Sequence, residues 1–153
     1  MSSVNSHKKY DAILVAGEGK SSYKVHHQNK AFLTINGKCL VHYIVETLQQ
    51  VESIRDIYVV GLKDELQQVF LTGHVDLSFP KRIHIVEQRS NLYENVWHTF
   101  LKSLKSENGE VPNTESHRDQ AMLIVPCDAP LMTPQEVEYF ISHANMENYD
   151  HVL

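Results

Sequence analysis

Apolar positions along the chain follow two rhythms. Short continuous runs rich in branched side chains, "DAILVA" (11–16), "IRDIYVVG" (54–61), "KRIHIVEQ" (81–88) and "QAMLIVPCD" (120–128), have the character of strands covered on both faces. Between them the apolar residues recur at helical spacing. From about Lys38 to Gln50, Leu40, Ile44 and Leu48 form one stripe; from Asp64 to Leu71, Leu66, Val69 and Phe70 point inward with Asp64 as the expected N-cap. A third helix carries Leu92, Val96, Phe100 and Leu104, adjoined by Trp97 and Leu101, on a stripe read as core, with "NLYE" at its head resembling a capping box. The fourth opens with "TPQE" (133–136), where Thr is the cap, Pro takes the first helical position and Glu is the reciprocal partner. Strand and helix therefore alternate, which predicts an α/β fold with a mostly parallel sheet and helices on both faces.

In such a sheet the C-terminal ends of the strands share one edge, and ligands bind there. The glycines that follow Val15 and the acid that follows Val125 both fall on that edge. Residues 1–9 read as a flexible tail, and the polar stretch 105–120 as a mobile surface loop before the fourth strand. "ENYDHVL" (147–153) looks like the opening of a fifth strand, so the expectation is a sheet truncated after that start, with 10–153 forming the N-terminal part of a single domain.

Composition narrows the chemistry. The chain has 153 residues, 42% hydrophobic, enough for one core. A net charge of −5 with scattered basic residues argues against nucleic acid and against a polybasic membrane segment, leaving small molecules as ligands. Cys39 and Cys127 are too few for a disulfide framework or a zinc ribbon, and neither a signal peptide nor a membrane span is visible, so a cytoplasmic location is expected. Cys127 reads as a small buried hydrophobe. The adjacent His26 and His27 lack metal-site spacing and read as a solvated loop.

The junction "AILVAGEGKSS" (12–22) carries the first chemical signal. Gly17 and Gly19 after a strand can present backbone amides to an anion, with Lys20 adding charge; a plain strand-to-loop turn is the alternative. A dinucleotide fingerprint would need a third glycine where Ser22 stands. A P-loop would need glycine at Leu14 and a helix beginning at Lys20, whereas "SYKVHHQNKAFLTINGK" shows no helical stripe and a turn at Asn36–Gly37. Asp128, at the end of a buried strand and two residues before Pro130, is either a turn cap or a ligand-facing acid.

Three segments in order, "LVAGEGKSS", "NKAFLTINGKCLVHYIVETL" and "LIVPCDAPLMTPQEV", resemble the nucleotidyltransferases of glycosyltransferase-A-like, Rossmann-like fold, in particular the molybdenum-cofactor guanylyltransferase-like and sugar-phosphate nucleotidyltransferase families. The resemblance covers nearly all of residues 10 to 145. It implies a MobA-like NTP transferase domain that transfers a nucleoside monophosphate from an NTP to a phosphorylated small-molecule acceptor and releases pyrophosphate. The implied nucleotide-binding residues are Ala16, Gly17, Glu18, Gly19 and Lys20 around the phosphates, Lys30 as the phosphate lysine, and Gln88, Asn91 and Asn95, beside Glu87, near the base and ribose. Capping explains Asn91 equally well. Lys30 and Asp128 are the implied catalytic residues, with Asp128 holding Mg²⁺. The logic is electrostatic, since an anionic acceptor can approach an anionic phosphorus only when lysines, amides and metal screen the charge. The family often has an arginine where this chain has Ser21, and a proline where it has Cys39. A nucleotide-binding or regulatory module without transfer chemistry is the alternative reading, and a P-loop phosphotransferase a third.

Overall fold

The computed structural model describes residues 8–17, 29–104, 114–117 and 120–144. Four strands, β1 (Tyr10–Val15), β4 (Ile54–Gly61), β5 (Ile83–Glu87) and β6 (Met122–Pro126), form one sheet in the order β5-β4-β1-β6. Every pairing in it is parallel. Two short strands, β2 (Thr34–Ile35) and β3 (Lys38–Cys39), form a separate antiparallel hairpin. Its turn places Asn36 at φ 52° and Gly37 at φ 77°, the paired left-handed conformation that an Asn-Gly hairpin turn requires.

The helices are α1 (Leu40–Gln49), α2 (Lys63–Thr72), α3 (Leu92–Ser103) and α4 (Pro134–His143). One face of the sheet packs Ala12, Leu14, Ile57, Val59 and Val125 against Val41, Ile44 and Leu48 of α1, Leu66 and Phe70 of α2 and Val137 of α4. The other face gathers Ile13, Tyr58, Val60 and Val86, with Val96 of α3 over them. The expected α/β architecture with helices on both faces is what the chain adopts.

Local chemistry explains where the elements begin. The box at the head of α4 forms as its sequence predicts: Thr133 Oγ1 accepts from the Glu136 amide, Glu136 accepts from the Thr133 amide at 2.8 Å, and Pro134 opens the helix. At α3 half of the box forms. Asn91 Oδ1 accepts from the Glu94 amide at 2.9 Å, while the Glu94 carboxylate turns back to Ser90.

Four expectations need correction. Helix α1 begins at Leu40, because Lys38 and Cys39 are held in the hairpin. Asp64 is not the N-cap of α2: Leu62 occupies that position, Asp64 lies in the first turn, and the Glu87 carboxylate at the end of β5 accepts from the Lys63 amide instead. The stripe through Trp97 is core only in part, since Val96 packs on the sheet while Trp97 is 44% exposed and Leu92 more so. Helix α3 instead turns Asn95 and Thr99 inward, because their polar groups are satisfied there: Asn95 accepts from the Arg89 amide, and Thr99 Oγ1 donates to the Asn95 carbonyl. Finally, β6 is not covered on both sides, for Ile124 is 52% exposed and only Val125 of the strand is buried.

Candidate functional site

The C-terminal ends of the strands are knitted together by backbone bonds. The Ala16 amide donates to the Val60 carbonyl and the Gln88 amide to the Gly61 carbonyl, each at 2.8 Å. β4 and β5 lie to one side of β1, and β6, the last strand among the described residues, lies to the other. The strand order thus changes direction between β1 and β6, the position at which open α/β sheets form their ligand crevice.

Two charged residues meet there. Val15 pairs with Pro126, so the backbone of Ala16 and Gly17 leaves β1 beside the residues Cys127 and Asp128 that leave β6. Lys30 returns to this point as the first residue of a short 3-10 turn, Lys30–Phe32. Its Nζ stands 3.7 Å from Asp128 Oδ2, with the two side chains 44% and 55% exposed. A single half-exposed carboxylate suits Mg²⁺ when phosphate oxygens and water supply the remaining ligands, so the donor set fits a metal brought in with a polyphosphate. Among the described residues no three His, Cys, Asp or Glu side chains converge.

Gly17, Gln88 and Asn95 form the second part of the edge. A Cβ placed on Gly17 would stand 2.8 Å from Gln88 Oε1 and 3.5 Å from Asn95 Nδ2. The backbone of Gly17 does not lie in the left-handed region, so the need for glycine is one of space. Gly17 thus lies against Gln88 and Asn95, while the pairing of Val15 with Pro126 brings the same stretch of chain to the end of β6, where Asp128 follows. Asn91 is the outlier: its side-chain oxygen is committed to capping α3. Glu18, Gly19 and Lys20, and with them Ser21, His26, His27 and the position of any helix starting at Lys20, lie outside the described residues, as does the stretch 147–153.

Cys127 packs against the main core, and burial pushes its thiol pKa up, with the neighbouring Asp128 carboxylate adding to the effect. Such a thiol is a poor nucleophile at neutral pH. No helix among the described residues is long and apolar enough to cross a membrane.

One residue of the edge carried no distinct signal. Asn29, 8% exposed, donates from Nδ2 to the Ala16 carbonyl at 2.8 Å and accepts at Oδ1 from the Ala31 amide at 3.0 Å. An Asn before a short apolar stretch hints at a cap. Its bond to Ala16 has no trace in the sequence.

The model of the MobA-like NTP transferase domain family matches residues 12–153. Among solved structures, a CMP:2-keto-3-deoxy-manno-octonic acid synthetase complexed with CTP is similar at TM-score 0.59 and 15% identity, over 88% of this chain and 46% of that one. A 4-diphosphocytidyl-2C-methyl-D-erythritol synthase from Anaerococcus prevotii is similar at TM-score 0.60 and 14% identity, over 89% of this chain and 50% of that one. A cytidylyltransferase from Leptospira borgpetersenii gives TM-score 0.57 and 10% identity, over 93% and 50%. The chain spans about half the length of these structures, and at such identities the likeness is one of fold. No curated protein matches the sequence.

Proposed function

Because the chain belongs to the MobA-like NTP transferase domain family, we propose that it binds a nucleoside triphosphate at the β1–β6 crevice and serves transfer of the nucleoside monophosphate to a phosphorylated small-molecule acceptor. The observation that carries this reading is the 3.7 Å approach of Lys30 Nζ to Asp128 Oδ2 at the paired ends of β1 and β6. In the reaction an acceptor oxygen forms a bond to the α-phosphorus, the bond from that phosphorus to the β-bridging oxygen breaks, and pyrophosphate leaves. No side-chain nucleophile is required. The work is charge screening and alignment.

The roles follow from position. Lys30 offsets negative charge on the phosphates, and the Gly17 amide borders them; Ala16, its own amide held by the Val60 carbonyl, sets the start of that loop, and Glu18, Gly19 and Lys20 are the further phosphate-binding residues of the proposal. Asp128 holds a divalent ion, Mg²⁺ by the preference for oxygen donors. When bound, that ion would neutralise phosphate charge and orient the leaving group. Gln88 and Asn95 flank the base and ribose, with Asn91 as the cap of the helix that carries Asn95. Lys30 and Asp128 partly neutralise one another until a charged ligand offers each a stronger partner.

Titration calorimetry of CTP, GTP, ATP and UTP with Mg²⁺ tests the proposal, CTP first because the names of the similar structures refer to CTP or cytidylyl transfer. Saturable binding of at least one NTP is the expected result, and absence of binding by all four overturns it. Binding without pyrophosphate release on addition of phosphorylated acceptors would instead identify a nucleotide-binding module.

A further inference from the structure

We propose that Asn29 is a positioning residue that sets two phosphate-binding groups at once, the Gly17 amide and the Lys30 side chain; this rests on the function proposed above. Asn29 is a polar side chain more than nine-tenths buried at the mouth of the crevice, and both ends of its amide are used. Nδ2 donates to the Ala16 carbonyl, which ties Asn29 to the chain leaving β1. In a trans peptide the C=O and the N–H of one unit point in opposite directions. Holding the Ala16 carbonyl toward Asn29 therefore turns the Gly17 N–H the other way, away from the clamp. Meanwhile Oδ1 accepts from the Ala31 amide, and the Asn29 carbonyl accepts from the Phe32 amide at 3.0 Å, closing the turn on which Lys30 sits. That turn carries Lys30 to Asp128.

The residue type is dictated by this double duty. One side chain must donate to a carbonyl and accept from an amide in the same place, which Asn does and ionised Asp does not. Asn29→Asp keeps the acceptor for Ala31 but sets a carboxylate oxygen against the Ala16 carbonyl. Asn29→Ala removes both bonds. A side chain that merely fills space would show no such difference in ligand binding.

The test is a double-mutant cycle on NTP affinity in the presence of Mg²⁺, read by calorimetry, with thermal unfolding measured on each variant. Asn29→Ala is expected to weaken NTP binding about tenfold in the wild-type background but only about threefold or less in the Lys30→Ala background, because its effect acts in part through Lys30. Asn29→Asp is expected to weaken binding while folding cooperatively. Equal losses in both backgrounds, or lowered Tm with unchanged affinity, would overturn the positioning role. So would failure of both Asn29 variants to fold, which would make the residue structural. A wild-type chain that binds no NTP removes the reading of the site itself, whereas NTP binding that depends on Lys30 but not on Asn29 removes this inference alone.

Discussion

Lys30 and Asp128 lie about half in solvent, where an ion pair is screened and contributes roughly 0–1 kcal/mol to folding. In the proposed function their importance is to a ligand. Lys30→Ala is expected to leave Tm nearly unchanged and to cost NTP binding about 2 kcal/mol, roughly thirtyfold in Kd by calorimetry, as for the loss of a charge-assisted phosphate contact. Asp128→Asn has a sign that separates metal from charge effects. It removes a negative group from a site proposed for anions, so metal-free NTP binding should be no weaker, while the increment produced by Mg²⁺ should shrink; an unchanged Mg²⁺ increment would place the metal elsewhere. Gly17→Ala should push the Gln88 side chain aside, given the 2.8 Å approach, and weaken NTP binding several-fold with little change in Tm. At this scale the sequence was informative where a residue's neighbours in the chain define its chemistry. Gly17, Lys30 and Asp128 stand out by order and by flanking turns. Asn29 does not, because its meaning comes from a carbonyl across the fold, and Trp97 misleads, because an aromatic on an apolar stripe gives no sign that a polar pair will take the inward face.

Elements were legible in kind and less so at their ends. The capping box of α4 and the Asn-Gly turn are short-range chemistry and fold as written. The start of α2 is capped by Glu87 from another strand, which no local pattern encodes. The rotation of α3 has the same cause: Asn95 and Thr99 are acceptable inside only because backbone partners await them. Between α1 and α2 lies a further cost of packing. His42 of α1 stacks on Phe70 of α2 at 5.6 Å, and its Nε2 is buried without a hydrogen-bond partner among the described residues. Burial lowers its pKa below the usual imidazole range, outweighing the Val69 backbone and the Glu46 carboxylate, which favour the cation; Lys38 adds slightly to the lowering. In the interval between the lowered native value and about 6.5, the unfolded chain binds more protons than the folded one. Stability should therefore be fully present above that interval and fall as pH drops below about 6.5. Denaturant unfolding at pH 5.5 and 7.5 measures it, and His42→Leu, which removes the orphan nitrogen, should reduce the difference.

For the molecule as a whole, alternation of runs and stripes was enough to give a parallel sheet with helices on both faces, but strand order was not readable, since register and neighbours are decided by packing across the sheet. That order brings the site together. If the crevice binds NTP, a concentration one hundredfold above Kd should stabilise the chain by about 2.7 kcal/mol. For a chain of this size that is a rise in Tm of roughly 5–10 °C with NTP and Mg²⁺ by scanning calorimetry, and no rise with the bare nucleoside. The Asp11–Arg55 ion pair at the opposite end of the strands, made by two bonds of 3.0 and 2.6 Å, is too far from the crevice to take part. The pairing of β1 with β6 has one more consequence. β4 and β5 are joined to β1 through nearby stretches of chain, whereas β6 returns from far along the sequence, and a contact closing so long a loop pays its entropy late. If the crevice acts as proposed, a nascent chain would thus carry its lysine in place before the aspartate arrives, making the docking of β6 the moment at which an inert scaffold acquires its chemistry.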